Sequence, residues 1–399
     1  MRRMHPEFSL LGQLEDQLAS LSDQKLRRQL CEVQTPTSPS LIVDGEALTA
    51  FCSNDYLGLA SDSRVIEAMR EGAVRYGAGS GASHLISGHS VAHAQLEARL
   101  AEIQAPYLIK PRALFFSTGY MANLAVLTAL AGKDADIFSE ALNHASLIDG
   151  TRLSRARVTV YTRDDLAALD RLLAGSTATT KLVVTDSVFS MEGAIAPLPE
   201  LLALCERHQA WLVVDDAHGF GVLGEQGAGV LQHFALRSPQ LVYVGTLGKA
   251  AGVSGAFVAA HATVIEWLVQ RARTYIYTTA TPPAIAHALL TSLEIITGAD
   301  GAQRRRKLRA HIEQWRHALQ LKHWHLLPSE TPIQAILIGA IQPTLQAGES
   351  LRSDGLWVAA IRPPTVAKDT ARLRITLSAA HESAQVTHLA NKICDLERL

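Results

Sequence analysis

The sequence has no excess of charge. Lys and Arg total 37 against 38 Asp and Glu, a net charge of −1. No basic field invites nucleic acid, and no polybasic stretch invites an anionic membrane. Cysteine is scarce: Cys31, Cys52, Cys205 and Cys394 lie far apart and form neither a CxxC pair nor a disulfide framework. Long apolar runs are missing as well. The longest weakly polar stretch, "YMANLAVLTALAG", is too short to span a bilayer. The opening "MRRMHPEFSLLGQLEDQ" turns acidic after two arginines and holds no signal-type apolar segment. Repeats and low-complexity tracts are absent. These gaps leave a cytoplasmic soluble enzyme as the expectation, with no metal site and with the sixteen histidines mostly ordinary surface or core residues.

What is present is a chain of 399 residues, 48% of them hydrophobic, long enough for a large core and more than one domain. Residues 7–31 have the pattern of an amphipathic helix, and "TPTSP" (35–39) is a breaker-rich link. From about residue 110 short apolar runs alternate with helical stretches. The runs are "ALFFS" (113–117), "DIFS" (136–139), "RVTVY" (157–161), "KLVVTD" (181–186), "WLVVDD" (211–216), "LVYVG" (241–245) and "GAFVAA" (255–260). Near-continuous apolar strands alternating with helices predict a mainly parallel sheet covered on both faces. Chemistry in such a sheet gathers at the carboxyl ends of its strands. After about residue 300 the texture changes: a helix over 302–320, strands over 333–339 and 372–379, and a closing helix over 381–399. The expected division is an N-terminal helical segment (1–46), a large domain (47–300) and a smaller C-terminal α/β domain (301–399).

Three strand ends carry telling groups. In "FFSTGYMANLAVL" a strand runs through Gly119 into a helix. Amides at a helix N-terminus bind anions, and a glycine lets a phosphate approach closely. In "LVVDDAHG" the carboxylates of Asp215 and Asp216 follow an apolar strand, with His218 behind them. Successive side chains alternate faces, so the two acids point opposite ways. A carboxylate in low dielectric needs a cationic partner, such as a protonated pyridine nitrogen; a metal pair is disfavoured because Asp-Asp-x-His offers few ligands. In "GTLGKAAGVSG" Lys249 sits among residues with almost no side chain. Desolvation would lower its pKa and free the amine as a nucleophile. Lysine, carboxylate and helix N-terminus together are what pyridoxal 5′-phosphate requires. His144, after "DIFS", is flat enough to stack on the ring. "GAGSGASHLISGHS" (77–90) has a GxGxxG-like spacing, but no strand precedes it. The Rossmann dehydrogenase reading fails on that context, and a flexible loop near the site fits better.

The chain resembles the α-oxoamine synthases, a pyridoxal-phosphate family of the aspartate-aminotransferase fold (fold type I). The resemblance runs from "FCSNDYLGLA" (51–60) to "ARLRITLSAAH" (371–381), through "NHASLIDG", "VFSMEGAIAPL", "VVDDAHGFGVLGEQG", "GTLGKAAGVSG", "YTTATPP" and "AIRPPTV". It implies a large, mainly parallel seven-stranded sheet domain with a smaller C-terminal domain. It implies Lys249 as the Schiff-base lysine and later proton shuttle, Asp215 on the pyridinium nitrogen, His144 on the ring face and His218 on the ring hydroxyl. Ser190 and Thr246 would flank the cofactor, with Gly119 and Tyr120 at its phosphate. Thr278 or Thr279 would contact the phosphate of a partner subunit, making a homodimer with its site at the interface. Asn54 and Arg362 resemble the groups that hold the substrate carboxylate; Thr365 and Arg27 resemble acyl contacts. The implied reaction condenses L-alanine with a pimeloyl thioester, on CoA or an acyl carrier protein. The alternatives are a relative that uses glycine and acetyl-CoA, and a non-catalytic binding module. Two departures from the family pattern stand out: Ala82 with His84 in the glycine-rich loop, and "AKDT" (367–370) after "RPPTV".

Overall fold

The computed structural model describes residues 9–398, so residues 7 and 8 of the expected first helix lie outside them. All seven apolar runs become strands of one sheet. Its order is Pro111–Phe116, Ala256–His261, Leu241–Thr246, Trp211–Asp215, Thr180–Asp186, Ala135–Glu140, Arg157–Tyr161. The last five are mutually parallel, and only Ala256–His261 runs against its neighbours. Alternation along the central strands feeds two cores. Val183, Leu212, Val214 and Tyr243 face one; Leu182, Val184, Val213 and Val242 face the other. Both faces are therefore buried, which explains why these strands read as continuous apolar runs.

The C-terminal unit is built on a four-stranded antiparallel sheet, His325–Leu326, Ile333–Gly339, Ala371–Thr376 and Ala359–Ile361. The helix Ala299–Ala318 packs against the closing helix Ser383–Glu397. A third, small sheet pairs Ser40–Val43 with Glu46–Ala50, and Glu46–Ala50 in parallel with Leu356–Trp357. Residues 40–50 are thus tied to the C-terminal unit.

Two expectations need correction. The first helix is Leu10–Asp23 and does not continue to residue 31. Its C-cap is Gln24, and Lys25 takes a left-handed φ of 58°, which no right-handed helix can pass through. The strand expected over 372–379 stops at Thr376, where it leaves the register of Ile333. No helix among the described residues is long and apolar enough to cross a membrane.

Candidate active site

The carboxyl ends of the central strands surround a cavity of about 290 Å³, lined by Gly119, Tyr120, His144, Ser190, Asp215, His218, Thr246 and Lys249 among others. Eight residues expected from the sequence are therefore together. Each reaches the cavity for a local reason.

Lys249 follows the strand Leu241–Thr246 in a tight loop. Leu247 N donates to Gly255 O at 2.8 Å, and Gly252 N to Lys249 O at 2.8 Å. Gly252 has φ +70°, and a Cβ there would come within 2.4 Å of Ala60 N, so only glycine closes the loop. Lys249 Nζ donates no hydrogen bond among the described residues. Burial pushes its pKa down, with the charge of Asp215 pulling the other way.

The two aspartates separate as strand parity requires. Asp215 turns to the cavity, accepting from Asn123 Nδ2 at 2.6 Å and from Ala217 N at 2.9 Å. Asp216 turns into the protein, where it accepts from the Ser187 hydroxyl, from Val230 N at 2.8 Å and from Tyr243 OH at 2.6 Å. Burial pushes its carboxyl up to about 7 despite these bonds. A third acid, Asp186, ends the neighbouring strand and accepts from His144 N at 2.9 Å. Burial and the charge of Asp215 hold its carboxyl well above the usual range.

His144 caps the helix Ala145–Ser154. Its Nδ1 lies 2.7 Å from Ser146 Oγ, which accepts from Asn123 Nδ2 at 2.8 Å. Asn123 therefore ties the imidazole to Asp215, fixing both orientations. Burial holds this imidazole below its ordinary pKa. His218 is buried, with the Tyr56 hydroxyl 2.5 Å from its Nδ1. Burial and the nearby Lys249 charge keep it neutral.

At the far end Thr118 caps the helix Gly119–Leu130, whose first turn opens on the cavity. A Cβ on Gly119 would meet Thr246 Cγ2 at 2.8 Å. That cradle of free amides suits a phosphate.

The other expected residues lie elsewhere. Arg362 lines no part of this cavity; it donates through Nε to Lys25 O at 2.7 Å and through Nη2 to Arg27 O at 3.2 Å. Arg27 itself is exposed. Thr278 and Thr279 are outside the cavity, Thr279 bridging to Ser83. Thr365 lines an adjoining cavity of about 500 Å³ that shares Ser190 with the first and also holds Leu142, Phe189, Val366 and Arg372. Asn54 stands behind the site, accepting from Arg374 Nη2 at 3.3 Å.

Sequence reasoning missed Asn123, Ser146, Asp186 and Arg374. Asp186 could have been found, because it ends "KLVVTD" as Asp215 ends "WLVV". Arg374 also left a signal: a charged residue inside "RLRIT" must be buried with a partner. That guanidinium donates through Nε to Ser190 O at 2.6 Å and through Nη1 to Thr376 Oγ1 at 3.0 Å. Among the described residues no carboxylate pairs with it. Asn123 leaves no mark in a helix sequence.

Comparison with known proteins agrees with this chemistry. The family model for aminotransferases of class I and II matches residues 46–393. The 8-amino-7-oxononanoate synthase of Janthinobacterium sp. (strain Marseille) is 65% identical over 389 residues, covering 98% of this chain and 99% of that protein. A crystal structure of 8-amino-7-oxononanoate synthase from Francisella tularensis superposes with a TM-score of 0.74 at 32% identity, over 87% of this chain and 97% of that one. A serine palmitoyltransferase from S. paucimobilis with a bound PLP–myriocin aldimine superposes with a TM-score of 0.90 at 28% identity, over 98% of each chain. The residues present fit pyridoxal phosphate: a dry, unpartnered amine, one available carboxylate, a flat imidazole and a helix N-terminus closed by a glycine. The chain belongs to the class I and II aminotransferase family and, within it, to the α-oxoamine synthases.

Proposed function

We propose that this chain condenses L-alanine with a pimeloyl thioester, releasing carbon dioxide and free thiol and giving 8-amino-7-oxononanoate for biotin biosynthesis. The observation that carries the reading is Lys249: an amine kept dry, without a hydrogen bond, at a strand end beside Asp215. The pyridoxal phosphate, when bound, supplies the electron sink that makes the Cα proton of alanine removable.

The chain's own residues do the rest. Lys249 Nζ would hold the cofactor and, once freed, serve as general base toward the Cα proton of alanine; burial lowers its pKa, which favours that role. Asp215 would face the ring nitrogen and favour its protonated form, since an anion stabilises a cationic ring. His144, braced by Ser146, offers its flat face, and His218 with Tyr56 borders the ring edge. Amides at Gly119 and Tyr120 take the phosphate. Arg374 would hold the alanine carboxylate: like Arg362 it is not among the residues that line the cavity, but it is buried, lacks a carboxylate partner, and bonds the wall residue Ser190 as well as Asn54. Arg362, bonded to backbone carbonyls, is the weaker candidate. The new bond joins alanine Cα to the thioester carbonyl carbon. The thiol leaves, the alanine carboxylate departs as carbon dioxide, and Cα regains a proton.

The adjoining cavity takes the acyl chain. Its apolar walls lead to Arg372, whose Nη1 is 3.6 Å from Glu192 Oε1, while Arg163 Nη2 bonds the same glutamate at 2.7 Å. Arg163 is shared with Asp164 at 3.8 Å, so Arg372, held to Glu192 only at 3.6 Å, is the cation in this cavity suited to the distal carboxylate of a pimeloyl group and wasted on acetyl. The donor is a CoA or acyl-carrier-protein thioester. Thr278 and Thr279, outside their own chain's cavity, serve the phosphate of a partner in a cytoplasmic homodimer.

The test is spectroscopic and chemical. The purified protein should show a visible cofactor band that shifts on adding L-alanine. With a pimeloyl thioester it should form 8-amino-7-oxononanoate, identified by mass. Borohydride should fix the cofactor to the peptide bearing Lys249. A label on another lysine, such as Lys181, or turnover of glycine with acetyl-CoA in preference, would overturn the reading.

A further inference from the structure

The glycine-rich stretch before the large sheet and the helix after it hold three histidines that the chemistry above does not use. A single π-helical turn, His84–Gly88, folds the chain back on itself. It does so because Gly88 has no side chain: a Cβ there would lie 2.1 Å from Ala82 O. The turn sets His84 against His89, with Nδ1 to Nδ1 at 3.0 Å. His93 follows, near the start of the helix Val91–Gln104. One ring nitrogen from each of the three lies within 4.8 Å of the others. His84 and His93 are buried and His89 is exposed, so the cluster has an inner wall and an open side.

Two of the three rings have an outer oxygen partner, and the third is stacked. His93 Nε2 is 2.8 Å from Thr281 O; a carbonyl only accepts, so Nε2 carries the proton and Nδ1 carries the lone pair. His89 Nε2 faces Glu97 Oε2 at 3.8 Å, a carboxylate itself fixed by Phe115 N at 2.9 Å. His84 is stacked on Tyr275, with centroids 4.6 Å apart and planes 9° apart. Outer carbonyl and carboxylate partners of this kind orient coordinating imidazoles and set their tautomer. Burial and mutual repulsion push His84 down to about 3, and burial lowers His89 and His93 as well.

We propose that His84, His89 and His93 form a binding site for a divalent transition metal of the zinc or cobalt type. Tetrahedral bonds of about 2.0–2.1 Å place ligand nitrogens roughly 3.4 Å apart. The His84–His89 pair, at 3.0 Å, is near that spacing, and the three nitrogens lie within 4.8 Å of one another. Imidazole nitrogens select these ions over magnesium or calcium, which take oxygen ligands. His93 Nδ1 now accepts from the Ser90 amide at 3.0 Å and lies 3.0 Å from its hydroxyl, a capping-box contact that a bound ion would replace. Thr281 links the site to the cofactor cavity, since its Oγ1 lies 2.9 Å from the Oγ of Ser117 in the cavity wall. A bound ion would brace the glycine-rich loop against the cofactor's phosphate end.

The experiment uses untagged holoenzyme freed of metal with EDTA and then dialysed. Zn²⁺ is titrated by calorimetry and against a chromophoric chelator. One ion per chain should bind with a micromolar or tighter dissociation constant and raise the melting temperature. His89→Ala, on the open side, should weaken binding at least tenfold without altering the cofactor band. His84→Ala should do the same, while His287→Ala should bind like wild type. Failure to bind one ion per chain, or unchanged affinity in both His84→Ala and His89→Ala, would overturn the site.

Discussion

Two arginines and two aspartates separate the reading of a motif from the reading of a site. Arg362 lies in the motif that resembles a carboxylate holder, yet its guanidinium bonds the carbonyls of Lys25 and Arg27. Arg374 lies inside an expected strand and drew no role, yet it is a buried cation bonded to Ser190 and Asn54. Arg374→Lys should weaken L-alanine binding by about 1.5–3 kcal/mol, the scale of a charged hydrogen bond, whereas Arg362→Lys should titrate like wild type. Spectral titration of the three proteins compares them directly, and the opposite ranking would return the role to Arg362. For the aspartates, Asp215→Asn should lower activity on the order of 10³-fold, about 4 kcal/mol in barrier, with the fold intact. Asp216→Asn should chiefly alter stability, because that side chain serves Ser187, Val230 and Tyr243. Activity and melting curves of both variants sort the roles.

Elements of the sheet were legible because a strand buried on both faces is apolar along its whole length. Val213 and Val214 belong to different cores, so neither position tolerates a polar residue. His325–Leu326 and Leu356–Trp357 left no such mark, since two residues carry no period. The His84–Gly88 turn was hidden for another reason: it depends on how closely the backbone of Gly88 approaches Ala82, which spacing does not encode. The helix Gly119–Leu130 shows what one element does for the site. Gly119→Ala would press a methyl toward Thr246 Cγ2, 2.8 Å away, and tilt the first-turn amides. Cofactor affinity should fall by about 1–2 kcal/mol, the range of helix-terminus interactions. Thr246→Ser removes that methyl and keeps the hydroxyl that donates to Ala217 O, so the double variant should recover most of the loss. Equilibrium dialysis of the cofactor measures both, and no recovery would mean that the clash is not the cause.

Across the whole molecule buried acids and buried histidines set opposing pH slopes. The Asp216 carboxyl rises from 3.8 to about 7 on folding. The folded chain then holds a proton that the unfolded chain has lost, so this contribution is full at acid pH and disappears as pH rises through 7. His381 falls from 6.5 to about 4 and His84 from 6.5 to about 3. For these the unfolded chain binds the extra proton, and stability present above 6.5 is lost as pH falls toward 4 and below. Asp216→Asn deletes only the first effect. Between pH 4 and 7 its melting temperature should therefore climb more steeply than that of wild type. Curves separated by a constant offset would show that Asp216 does not titrate in this range.

The small sheet that joins residues 40–50 to Leu356–Trp357 sets an order on synthesis. Phe51 N donates to Trp357 O at 2.8 Å, and Thr376 N to Phe51 O at 2.7 Å. These are partners that leave the ribosome roughly 300 residues apart. At about 5–20 residues per second the wait is on the order of 15–60 s. Through that interval the hairpin of Ser40–Val43 and Glu46–Ala50 can pair within itself, but its edge toward Leu356–Trp357 and the buried Phe51 lack their partners. The start of the chain is thus finished last, and a nascent chain stalled before Leu356 presents an open strand edge and an apolar surface to whatever chaperone attends it.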